Sequence, residues 1–94
     1  VEYSSIEEDV QVKKQQGALY VTSNSIGGNV QVEESSVGPF LVRNNLIDGD
    51  LQFFKNRGQG TITGNGVGGN LQSKENRPRP FISNNRVEGN TEIE

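Results

Sequence analysis

One nine-residue phrase recurs through the chain and leaves little freedom in what the chain can fold into. Asn24-Ser25-Ile26-Gly27-Gly28-Asn29-Val30-Gln31-Val32 returns from Asn45, from Asn65 and from Asn85, and a degenerate copy begins at Ser4. Successive starts lie 20, 21, 20 and 20 residues apart. A fixed period of this length is the signature of stacked repeats, in which one unit cannot bury its own apolar face and needs a neighbour on each side.

Aligned on this period, the apolar residues fall into columns. The third position reads Ile6, Ile26, Ile47, Val67, Val87; the seventh reads Val10, Val30, Leu51, Leu71, Thr91; the ninth reads Val12, Val32, Phe53, Ser73, Ile93. Late in each full copy come Val21, Val42, Ile62 and Ile82, and two residues earlier a mixed column of Leu19, Phe40, Gly60 and Pro80. The spacing of two between inward columns is strand alternation, and the residues are those a half-buried pleated surface accepts. Gly, Asn and Pro interrupt every copy, which excludes a helical repeat. The expected fold is all-β: a single-stranded parallel β-helix (β-solenoid) of about 20 residues per coil, with 4–5 coils. One domain spans 1–94, with coils at 4–23, 24–44, 45–64, 65–84 and a partial coil at 85–94. Adjacent coils stack about 4.8 Å apart.

Leu, Ile, Val and Phe supply 25 of 94 residues, enough to leave the disordered class, while the scarcity of aromatics predicts a thin core. The net charge of −3 argues against nucleic acid as a partner. No apolar run approaches the roughly 20 residues that cross a bilayer, so no membrane insertion is expected. The chain has no Cys and no His, which removes thiolate chemistry, disulfides and the commonest general base and metal ligand. It also has no Met, so Val1 is read either as the product of removing an N-terminal segment, such as a signal peptide, or as a position inside a longer protein.

The polar columns predict ladders. Asn24, Asn45, Asn65 and Asn85 form one, beginning at Ser4; Asn29, Asp50, Asn70 and Asn90 form another, beginning at Asp9. Gly28, Gly49, Gly69 and Gly89 precede the second, and this pairing reads as a turn in which Gly takes a positive φ and the Asx side chain caps backbone amides. Gln11, Gln31, Gln52, Gln72 and Glu92 point outward between inward residues, as a solubilising row with ladder bonds.

Between the strand pairs, residues 13–18, 33–39, 54–59 and 74–79 differ from copy to copy and are expected to form a loop face. Lys55, Arg57, Lys74, Arg77 and Arg79 make its most basic part. They suggest a loop that meets an anionic ligand, against the plainer reading of solvated charge balanced by Glu33, Glu34 and Glu75. No catalytic residue, cofactor or metal ligand is expected. Glycoside hydrolysis requires two carboxyl groups at a defined separation; among the candidates Asp48, Asp50 and Glu88, Asp50 belongs to a ladder and Asp48 is isolated, with Glu7 in its column two coils away. The Gly-Gly-Asn turns lack the acidic residue of calcium-binding nonapeptide repeats, and Thr22, Thr61 and Thr63 form no regular Thr row of the ice-binding kind.

The Asn-Asn-x-Ile/Val-x-Gly-Asn-Leu/Val-Gln pattern, including Gly69-Asn70-Leu71-Gln72-Ser73-Lys74-Glu75-Asn76-Arg77-Pro78, resembles repeats in secreted and surface proteins of bacteria that are predicted to form right-handed parallel β-helices. A weaker similarity is to bactofilins, cytoskeletal β-helices with related Gly-Asn-Ile/Val turns. The resemblance implies right-handed coils and a secreted or cell-surface location. It also implies that Ser73, at a position often Cys in such repeats, is natural drift or an engineered replacement. The function expected is a non-catalytic structural or surface-binding module, a rigid spacer of adhesion type that contacts a polysaccharide or protein surface. Two alternatives stand beside it. One is an end-to-end self-assembling scaffold, because Ile93 is still in core register at an open end; the other is a fragment of a polysaccharide-processing β-helix enzyme.

Overall fold

The computed structural model describes residues 5–93; Val1, Ser4 and Glu94 lie outside the described residues. Each coil contributes three short strands. The first carries β1 (Ser5–Ile6), β2 (Val10–Lys13) and β3 (Leu19–Thr22), and the second β4 (Ser25–Ile26), β5 (Val30–Glu33) and β6 (Phe40–Arg43). The third carries β7 (Leu46–Ile47), β8 (Leu51–Phe54) and β9 (Gly60–Thr63), and the fourth β10 (Gly66–Val67), β11 (Leu71–Lys74) and β12 (Phe81–Ser83). The last described strands are β13 (Arg86–Val87) and β14 (Thr91–Ile93). Strands pair only with their counterparts one coil away, always in parallel. This gives three sheets, β1-β4-β7-β10-β13, β2-β5-β8-β11-β14 and β3-β6-β9-β12. The fold is a β-solenoid.

The register reproduces the columns. Ile6 lies against Ile26, Val10 against Val30, Gln31 against Gln52 and Val42 against Ile62. In the second and third coils every apolar column is buried, and in the fourth all but Ile82 are. The mixed column has a packing reason. Coil two pairs the small Val32 with the large Phe40, whereas coil three pairs Phe53 with Gly60, and a Cβ on Gly60 would lie 3.1 Å from the Phe53 ring. Phe40 and Phe53 then meet edge to face at 6.0 Å between ring centroids. Coils two and three thus each place one large ring in the narrow core, from opposite sides.

Both predicted ladders exist, and they work differently. In the first column each Asn uses its whole amide. Asn45 Oδ1 accepts from the Asn24 N–H and Nδ2, both at 3.0 Å, while Asn45 Nδ2 donates to Val21 O at 2.8 Å and to Asn65 Oδ1 at 2.9 Å. The same set repeats at Asn65, and Asn85 keeps all of it but the donation to a further rung. In the second column only the acceptor is used: Asp9 Oδ1 takes the Asn29 N–H, Asn29 Oδ1 the Asp50 N–H, Asp50 Oδ1 the Asn70 N–H and Asn70 Oδ1 the Asn90 N–H, at 2.7–2.8 Å. Asp and Asn are interchangeable there because an acceptor oxygen is all the position needs. The Gln row is also continuous, from Gln11 to Glu92.

The glycines of the second column do not take the positive φ expected of them. Their reason is close approach. A Cβ on Gly49 or Gly69 would collide with the Oδ1 of Asn29 or Asp50, the ladder residue one coil below. Left-handed backbone appears instead at Ser23, Asn44, Gly64 and Asn84 (φ 56–68°), just before the first column, and at Lys14, Glu34, Lys55 and Glu75 (φ 52–58°).

That last set gives the variable loop face an order of its own. Residues 13–18, 33–39, 54–59 and 74–79 build a third ordered corner. The left-handed residue turns the chain, and the next side chain points inward as a rung: Gln15, Ser35, Asn56, Asn76. Gln15 N–H donates to Ser35 Oγ at 3.1 Å, Ser35 N–H to Asn56 Oδ1 at 3.1 Å, and Asn56 N–H and Nδ2 to Asn76 Oδ1 at 2.9 and 3.0 Å. Ser73 is fully buried, and its Oγ accepts from Asn76 Nδ2 at 2.9 Å, supplying the partner that Asn76 supplies to Asn56. The extra residue of coil two is absorbed beside this corner, where Val37 is 69% exposed with φ 63°.

Candidate anionic-ligand cleft

Because Asn56 and Asn76 point inward, alternation turns their neighbours outward: Lys55 and Arg57 on one coil, Glu75 and Arg77 on the next. Arg57 and Arg77 are bridge partners in parallel register, the last two of the row Gln16, Ser36, Arg57, Arg77. Their Cα atoms are therefore about one coil, ~4.8 Å, apart. Arg79 follows two residues on, past Pro78. Together Lys55, Arg57, Glu75, Asn76, Arg77 and Arg79 line a shallow cleft of about 370 Å³.

Two contacts order its floor. Arg57 Nη1 donates to the carbonyl of Glu75 at 2.8 Å and to that of Asn56 at 3.3 Å, which ties the guanidinium down across the coil boundary. Lys55 Nζ lies 3.9 Å from Glu75 Oε2, with both side chains more than half exposed. An exposed pair of this kind contributes about 0–1 kcal/mol, so it biases side-chain positions more than it stabilises the fold. It also continues the alternation Lys14, Glu34, Lys55, Glu75 up the corner, which keeps like charges off adjacent coils.

Four of the five basic residues singled out in the sequence therefore meet in one place. Lys74 does not join them. It is an outward residue of β11 in register with Phe54, and its Nζ lies 3.7 Å from Glu92 Oε2. The hydrogen bond from Gln72 and then the Lys74 ammonium hold the Glu92 carboxyl below the usual carboxylate range, against a smaller opposing effect of desolvation. Lys74 instead lines an adjoining depression of about 310 Å³ with Phe54, Lys55 and Glu75. Phe54 was not singled out in the sequence. Its signal was there: the column reads Lys13, Glu33, Phe54, Lys74, so one copy puts an aromatic ring where the others carry charge.

The carboxylates considered for catalysis are dispersed. Asp50 is engaged in the acceptor ladder. Asp48 and Glu88 are exposed on one column, two coils apart, with Gly68 between them. They edge a shallow groove of about 290 Å³ that also includes Leu46 and Arg86. Among the described residues no group of three His, Cys, Asp or Glu side chains is placed to hold a metal ion, and no helix is long and apolar enough to cross a membrane. No family model matches the chain, and neither a curated protein nor a solved structure does. The architecture of stacked coils with Asn ladders stands on the geometry alone; membership of a particular repeat family does not follow from it.

Proposed function

We propose that the chain is a non-catalytic structural module of a secreted or cell-surface protein, a stiff segment that holds its outer surface at fixed spacing for contact with another surface. The observation that supports this most directly is redundancy of coupling between coils. Three sheets, three inward or corner ladders and the outward Gln row all run along the same axis, and among the described residues no buried side-chain nitrogen or oxygen lacks a partner. Bending or shearing one coil against the next would break bonds in all of them together. In a repeat stack whose stability is a sum of nearest-neighbour terms, such coupling yields one cooperative body.

Native-state amide hydrogen exchange tests the reading. A stiff spacer predicts slow exchange, near the global unfolding limit, at the N–H groups of Ser35, Asn45, Asn56 and Asn65 alike. Fast exchange confined to Ser35 and Asn56 would mean a mobile third corner and would refute it.

A second reading, axial assembly, is favoured by one specific observation. The last described coil leaves its core columns uncovered: Ile82 and Val87 are half-buried, and Ile93 is 46% exposed beside the unpaired edges of β12, β13 and β14. A further coil would cover them, whichever chain supplies it. Sedimentation of the 94-residue chain across a concentration series distinguishes the cases. Growth with concentration supports assembly between copies, and a strict monomer throughout rejects it.

A further inference from the structure

The cleft on the third corner carries more than a general surplus of charge. Four of the nine basic residues of the chain line it, on a protein whose net charge is −3. The one carboxylate there, Glu75, is paired with Lys55, and no carboxylate of a described residue lies within 4.0 Å of Arg57, Arg77 or Arg79. A guanidinium has five N–H donors in a rigid fork. Arg57 commits one nitrogen to backbone carbonyls, and this fixes the fork in place without using it up. With Arg77 and Arg79 exposed beside this anchored group, three guanidinium donors on two adjacent coils face the space a planar anion would fill.

Its dimensions limit the ligand. One coil below, the Phe54 and Lys55 columns carry Glu33 and Glu34 beside the neutral Ser36 of the arginine column, so an anion extending along the axis beyond two coils leaves the cations behind and runs alongside negative charge. The overall charge argues against nucleic acid in the same way. Beside the cleft, across the Lys55–Glu75 pair, lies the depression lined by Phe54. The site is therefore a short anionic grip next to an outward aromatic ring, shallow throughout. A peptide would ordinarily seek an unpaired strand edge or a deep apolar groove. The side wall offers neither, because strand hydrogen bonds here run along the axis from coil to coil.

We propose that this corner binds a short oligosaccharide carrying carboxylate groups, a uronate, with its carboxylates on Arg57, Arg77 and Arg79 and the C–H face of an adjoining pyranose on Phe54. A pyranose ring has an apolar face that suits an aromatic side chain, and a uronate adds a planar carboxylate for the guanidinium fork. The proposal names a ligand for the surface-binding role suggested above. It is separable from the stiffness reading, since exchange protection and ligand binding are measured independently.

The test is an NMR titration of the 15N-labelled chain at low salt with a galacturonate trimer. A neutral galactose trimer, a tri-glutamate peptide and inorganic phosphate are run in parallel. The expected result is shifts at the amides of Phe54, Arg57, Arg77 and Arg79, with a dissociation constant on the order of millimolar, as a small exposed site gives. Arg77→Ala and Arg79→Ala should each weaken uronate binding about fivefold. Phe54→Ser, which removes the ring without adding charge, should weaken it about fivefold while leaving any phosphate binding unchanged. All three side chains face outward, so an unchanged thermal transition serves as the folding check. Equal or tighter binding of tri-glutamate, of phosphate or of the neutral trimer would overturn the proposal. So would the absence of shifts at the highest uronate concentration.

Discussion

Replacing Asn by Asp at two positions five residues apart should separate the two kinds of Asx column. Asn65 is buried and uses its full amide: Oδ1 accepts from Asn45 N–H and Nδ2 at 3.0 and 2.9 Å, and Nδ2 donates to Val42 O and Asn85 Oδ1 at 2.9 and 3.0 Å. Asp at this position loses both donors and turns a carboxylate oxygen toward two other oxygens. Each buried hydrogen bond broken in this way costs about 1–3 kcal/mol, giving about 4 kcal/mol in all. A domain of this length holds only about 5–14 kcal/mol, so the variant should be barely folded at neutral pH. Burial without a cation raises the pKa of the new carboxyl in the folded state. The deficit is therefore largest above that folded pKa and shrinks as the pH falls through it, because the protonated form regains one donor. Asn70 uses only its Oδ1, for the Asn90 N–H at 2.8 Å. Asn70→Asp adds one like-charge contact with Asp50, about 0.9 kcal/mol across ~4.8 Å of water, and gains a charge-assisted bond to the amide. Its net effect should stay within about 1 kcal/mol and fade with salt. Urea unfolding followed by circular dichroism, at about pH 7 and about pH 5, measures both variants. Equal losses in the two, or a loss below about 1 kcal/mol for Asn65→Asp at neutral pH, would refute the distinction between full-amide and acceptor-only ladders.

Three further outcomes are expected. Gly69→Ala should cost about 1–3 kcal/mol by driving its Cβ into Asp50 Oδ1, and the cost should fall in an Asp50→Gly background, which a double-mutant cycle of thermal unfolding reads directly. Phe53→Val and Gly60→Phe should each destabilise, by about 2–4 and about 1–3 kcal/mol, yet the double variant copies the Val32–Phe40 arrangement of coil two and should recover at least half of the summed loss. For Glu92, whose folded pKa is depressed, the stabilising contribution is present above its unfolded pKa and is lost as the pH falls through the folded one; Gln72→Leu should move the carboxyl back toward its ordinary range in an NMR pH titration, and a shift that responds only to Lys74→Ala would show that the hydrogen bond is not its main cause.

The period, the inward columns and two of the three corner ladders were legible because they repeat in residue type. Ile26, Ile47 and Val67 announce one face of the core without help from the structure, and Asn24, Asn45 and Asn65 announce one ladder. The third ladder was missed because its rungs read Gln15, Ser35, Asn56 and Asn76, a column held together by geometry more than by identity. A signal was nonetheless present. Val21, Val42, Ile62 and Ile82 each stand three residues before a first-column Asn. Phe53 and Ser73 stand three residues before Asn56 and Asn76 in the same way. In both corners the Asn donates to the carbonyl of that apolar position one coil below, Asn65 to Val42 and Asn76 to Phe53. The unit that repeats is therefore smaller than the coil: an inward residue, an outward one, a left-handed one and an inward amide, used twice per turn. The conformation of the glycines was misread for the opposite reason. Gly followed by Asx is a strong turn signal locally, whereas what excludes a Cβ at Gly49 is an oxygen twenty residues away in sequence, which no local pattern carries.

That twofold use of one corner explains where this chain has room for chemistry. In the first corner the rung is Asn at 24, 45, 65 and 85, and the coil length there does not vary. The third corner accepts Gln, Ser or Asn as its rung, takes an inserted residue beside Val37, and presents Lys or Glu at a left-handed position that elsewhere suits Asn or Gly. It does so without losing a buried hydrogen bond, because the rung's backbone N–H is met by an oxygen of the next coil whether that oxygen belongs to Ser35 or Asn56. The outward residues are thus released from the folding requirement while their backbone remains pinned. A side chain placed there is free to change in character and yet is held at a fixed height on the axis. Among the described residues of this corner, Arg57 and Arg77 at adjacent heights, with Phe54 beside them, are where that freedom gathers cations and an aromatic ring together.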